Sequence, residues 1–80
     1  MTLVLNQDQA KSVYEAMSAL NIDSSTCHHM DFPARGNENI AVVHRPRGPV
    51  MVWQECRGLA HNVEPYADIS AFASAYGLKP

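Results

Sequence analysis

NIAVVHRPRGPVMVWQE, residues 39–55, decides the fold. Two β-rich runs, NIAVVHR and PVMVWQE, flank a segment with Pro46, Gly48 and Pro49. Fixed and permissive backbone angles at those positions make a turn, so the stretch reads as a β-hairpin. Setting Arg45 opposite Val50 sorts the side chains. One face then holds Ala41, Val43, Arg45, Val50, Val52 and Gln54. The other holds Ile40, Val42, His44, Met51, Trp53 and Glu55. Both faces are apolar in the middle.

The flanking sequence supplies the other elements. Asn6 with Gln9 three residues on forms a capping box, and Ala10, Val13, Tyr14, Met17 and Leu20 follow at helical spacing. A helix over Gln7–Leu20 is expected. Ser25–Phe32 reads as a further strand, closed by a loop with Pro33, Gly36 and two asparagines. A second helix starts at the cap Asp68, with Ile69, Phe72, Ala73 and Tyr76 as its stripe. It ends at Gly77 in the C′ position, with Leu78 placed for a Schellman contact. Residues 57–66 read as a long loop. The fold class is α+β, order α-β-β-β-α: a small three-stranded antiparallel sheet against two helices. TLVL at the start offers a fourth short strand.

An 80-residue chain forms one domain with little core to spare. Net charge is −2, which disfavours nucleic-acid binding through bulk charge. The charge is uneven. Residues 1–31 carry Asp8, Glu15, Asp23 and Asp31 against Lys11, whereas all four arginines, Arg35, Arg45, Arg47 and Arg57, fall within residues 32–57. No run is long enough to span a bilayer. MTLVLNQDQA lacks the pattern of a signal peptide, so a cytoplasmic, reducing setting with Cys27 and Cys56 as free thiols is expected.

TCHHM, residues 26–30, raises metal and thiol chemistry. On a strand, Cys27 and His29 share one face and His28 the other, so three convergent ligands do not arise. A metal- or thiol-dependent protein would have to be built on Cys27, His29, His44 and Cys56. Zinc asks for about four such ligands, and the paired spacings that usually signal them are absent. A Cys–His nucleophile needs an oriented base, drawn here from His29, His44 or His61, and no local signature surrounds either cysteine. The glycines are scattered, G-x-S-x-G is absent and the acidic residues are isolated. Neither a catalytic site nor a cofactor is expected.

Two helices of this length cover one side of a small sheet. The uncovered side, unless residues 57–66 or the N-terminal segment shield it, presents an apolar patch of the kind that marks a partner surface. Trp53 and Met51 are its expected anchors. Arg45 and Arg47 at the hairpin end, Arg57 past the third strand and Arg35 before the second supply charge for carboxylates or phosphate-like groups. The expected partner is a protein, with no direct nucleic-acid contact, and the chain itself a monomer or weak homodimer.

The element order is similar to that of double-stranded RNA-binding domains, but the second helix, DISAFASAY, has none of their lysines. In size and style the whole chain resembles the small phage-encoded anti-CRISPR proteins, type I inhibitors in particular, without a diagnostic motif. That resemblance implies a stoichiometric, non-enzymatic inhibitor in the host bacterial cytoplasm. It would occupy a surface of a CRISPR-Cas effector complex (type I Cascade) and block target DNA binding. A charge of only −2 and clustered arginines argue against DNA mimicry.

Overall fold

Asn6 opens the first helix by the reciprocal bonds its sequence calls for. The Gln9 amide donates to Asn6 Oδ1 at 2.8 Å, and the Asn6 amide donates to Gln9 Oε1 at 3.0 Å. In the computed structural model, which describes residues 4–20, 27–34, 38–45 and 48–78, α1 spans Gln7–Ser18. It is followed by β1 (His28–Pro33), β2 (Glu38–His44), β3 (Val50–Cys56), β4 (Leu59–Tyr66) and α2 (Ile69–Ala75). The strands form one antiparallel meander in the order β1-β2-β3-β4. This is the expected α+β architecture with one more strand.

The closing helix also ends as its sequence dictates. Asp68 Oδ1 accepts from the Ala71 amide at 2.8 Å. Gly77 takes φ +66°, and the Leu78 amide donates to the Ala73 carbonyl at 2.9 Å, completing a Schellman turn.

The fourth strand is a correction. Residues 59–66 belong to the sheet rather than to a loop, and Val4 and Leu5, the described part of TLVL, are not strand. Arg57 (φ 53°) and Gly58 (φ 81°) make a two-residue turn with the paired positive angles that suit hairpin twist. Arginine is an unusual first residue for such a turn, so the signal was weak. A register shift between Val52 and Gln54, with Asn62 at φ 54°, breaks the alternation further along. Pro65 is tolerated because β4 is an edge strand.

The hairpin register is a second correction. His44, not Arg45, stands opposite Val50. The loop closes by Arg45 N–H to the Pro49 carbonyl (3.2 Å) and Gly48 N–H to the Arg45 carbonyl (2.8 Å). A one-residue slip exchanges the faces of one strand relative to the other. The covered face therefore holds Met30, Phe32, Ile40, Val42, His44, Val50 and Val52 together, packed against Ala10, Val13 and Met17 of α1, Phe72 of α2 and its C-cap Tyr76. The opposite face holds His29, Asp31, Ala41, Val43, Met51, Trp53 and Glu55, with Val63 and Pro65 from β4.

A carboxylate fastens the covered side. Glu64 Oε1 accepts from the Tyr76 hydroxyl (2.6 Å) and the Tyr66 hydroxyl (3.0 Å), and Oε2 accepts from the Val4 amide (3.3 Å). The Tyr76 oxygen accepts in turn from the Leu5 amide at 3.2 Å. Burial, then the bond to Glu64, pushes both phenols up from their ordinary range, so they remain protonated donors. The network ties the N-terminal segment, β4 and α2 together and explains how a carboxylate sits beside the core.

Candidate protein-binding face

The open face is built around Trp53. Its cross-strand neighbour is Ala41, whose small side chain leaves room for an indole to lean over β2. Ala41 is fully buried although it faces away from both helices, so its larger neighbours on that side cover it. The Trp53 Nε1–H donates to Glu55 Oε2 at 3.1 Å, which fixes the ring and satisfies its one polar group. His29 of β1 lies nearly parallel to the indole, at 6.2 Å between centroids and 20° between planes. His29 Nε2 is 3.5 Å from Asp31 Oδ1, an exposed pair that adds little stability.

Beside this array Met51 is 41% and Val63 47% exposed, and Val43 is half-buried. These exposures decide what the face can do. With its polar edge satisfied and both helices on the other side, the indole and its aliphatic neighbours form a partly exposed apolar cluster. Trp53 and Met51 stand together as expected. Val43 joins them in place of Val42, and Val63 was not foreseen because β4 was read as a loop.

The arginines do not gather into one tip among the described residues. Arg45 is exposed in the β2–β3 loop and Arg57 in the β3–β4 turn. These lie at opposite ends of β3, whose seven residues span roughly 20 Å at the usual rise. Arg35 and Arg47 lie outside the described residues.

Nor are Cys27, His29, His44 and Cys56 brought together. Cys27 is exposed ahead of β1, and Cys56 is half-buried at the far end of β3, opposite Glu38 and Leu59. His29 is on the open face and His44, 3% exposed, on the covered one. Both cysteines are free thiols, and no group of three or more His, Cys, Asp or Glu converges among the described residues. A groove of about 260 Å³ between α1 and the β1–β2 side has Val13, Phe32 and Ile40 on its walls and Asp8 as its one titratable group. One carboxylate supplies no acid–base pair. Among the described residues no helix is long and apolar enough to cross a membrane.

Comparison with protein-family models, curated proteins and solved structures finds no match to this chain.

Proposed function

We propose that this protein is a non-enzymatic protein-binding domain that docks through the open face of its sheet, with Trp53 and Met51 as anchors and Val43 and Val63 beside them. The single observation that supports this reading is the apolar, partly exposed cluster around an indole whose only polar group is already bonded to Glu55. Aromatic anchors ringed by smaller apolar side chains carry most of the energy in protein interfaces. Arg45 and Arg57 contribute at the rim, where charge affects association rate more than affinity.

Inhibition of a type I CRISPR effector complex, by covering a surface it needs to bind target DNA, is the specific form we propose for this role. It rests on the resemblance of the whole chain in size and style. Such an inhibitor works in the host bacterial cytoplasm. The experiment is retention of a purified type I effector complex on the immobilised protein, with Trp53→Ala in parallel. The reading expects stoichiometric retention by wild type and a loss of about 2–4 kcal/mol in binding for the variant. No retention by wild type removes the inhibitor role. Equal retention by Trp53→Ala removes the open face as the contact. A concentration-dependent shift in sizing chromatography would assign the face to a second copy of the chain instead.

A further inference from the structure

His28 and His44 are directly opposite residues of β1 and β2 on the covered face. Side chains at such positions have Cβ atoms about 4.5–5.5 Å apart, so the two imidazoles are neighbours. His44 is 3% exposed. His28 Nε2 and His44 Nδ1 are buried, and neither has a hydrogen-bond partner among the described residues. Buried polar atoms without partners are uncommon and weaken a fold, so this pair calls for a physical account.

Among the described residues the surroundings offer no counter-charge. The row across the sheet runs His28, His44, Val50, Tyr66, and the next runs Met30, Val42, Val52, Glu64. The Glu64 carboxylate is engaged by Tyr66, Tyr76 and the Val4 amide. From α1, Tyr14 packs on the core while Asp8, Lys11 and Glu15 are exposed. From α2 come Tyr76 and the exposed cap Asp68. Arg45, next in the chain after His44, would only add positive charge. His29 and Asp31 are on the other face.

We propose that the His28–His44 pair makes β1 an acid-released edge strand, whose first residues detach from β2 when His44 is protonated while the β2–β3–β4 sheet and both helices stay folded. Two arguments carry this. A proton on His44, 3% exposed, places a cation in a dry setting beside the second imidazole. And β1 is an edge strand: it pairs with β2 alone and, like the other edge strand β4, has no fully buried residue, whereas β2 and β3 hold Ile40, Val42, Val50 and Val52 in the core; of the two edges only β1 carries a member of the histidine pair. Opening an edge strand exposes less apolar surface than opening β2 or β3.

The direction of the pH effect follows. Burial first, and His28 second, lower the His44 pKa from 6.5. The unfolded or detached strand therefore takes up the proton more readily than the paired one. Pairing is intact above about pH 6.5, the ordinary histidine value, and weakens as pH falls through it.

Amide hydrogen exchange followed by NMR tests this, with rates corrected for the intrinsic pH dependence. Between about pH 7.5 and 5.5, which reaches one unit below the ordinary histidine value, the lowered His44 pKa costs at most about tenfold in protection. The expected result is a loss of that order confined to the amides bridging β1 and β2, with those bridging β3 and β4 unchanged. His44→Phe removes the loss. Should that variant not fold, His28→Gln, at a half-buried position, is expected to reduce it. Corrected protection that does not change with pH, or that falls equally across all four strands, overturns the proposal.

Discussion

Val42 and Val43 are the same residue, adjacent in one strand, with different surroundings. Val42 faces both helices and is fully buried, whereas Val43 faces away, between His29 and Met51, and is half-buried. The same contrast holds for Val52 beside Trp53. Nothing in the chemistry of these side chains separates the two faces. What separates them is which side α1 and α2 cover. One apolar face holds the domain together; the other stays partly exposed, and it is the one we propose for a partner.

The comparison can be broken first on the covered side, where effects are largest. Phe72 is fully buried, and its ring lies 4.9 Å from that of Tyr76 and 5.5 Å from that of Tyr66. Phe72→Ala is expected to cost about 3–5 kcal/mol, which in a domain this small leaves much of the chain unfolded in a urea titration. Tyr76→Phe keeps the ring but removes the donor to Glu64 and the acceptor for the Leu5 amide. The expected cost is about 1–3 kcal/mol, read as a lower urea midpoint at unchanged slope. The smallest effect has the opposite sign. Arg57 stands at φ 53° in the β3–β4 turn, a conformation asparagine adopts more easily. Arg57→Asn is expected to raise stability by up to about 1 kcal/mol in thermal unfolding, a typical gain for matching turn chemistry.

Much of this frame was legible in the sequence. The capping box at Asn6–Gln9, the Asp68 cap and the Gly77–Leu78 ending are local features, set by bonds between residues a few positions apart. Their helices formed where expected, α1 two residues shorter. The hairpin strands were legible for the same reason. Their register was not. Ile40 to Val43 is apolar without a break, so alternation cannot choose a face, and the loop between Arg45 and Pro49 closes through backbone bonds that composition does not specify. β4 was hidden by an arginine at a positive φ, a bulge at Asn62 and a proline at position 65. That Trp53 and Met51 share one face was legible because they stand in alternate positions of one strand. Val63 was not, since its strand was not. Glu64 had no signal of its own: its partners come from the N-terminal segment and α2, far off in sequence and joined only by the fold.

The account stands most directly on the two valines. Val42→Lys and Val43→Lys should be compared by thermal unfolding under identical conditions. Lysine at 42 has to place its ammonium in the core between the sheet and the helices, and the variant is expected not to fold. Lysine at 43 projects over the open face, diagonal to Asp31 across the β1–β2 ladder, and the variant is expected to unfold cooperatively within a few tenths of a kcal/mol of wild type, as for an ordinary surface change (about ±0.5 kcal/mol). Loss of folding in both variants would mean that the second face is also packed and not free to bind. Loss in Val43→Lys alone would mean that the register, and with it the assignment of the two faces, is wrong.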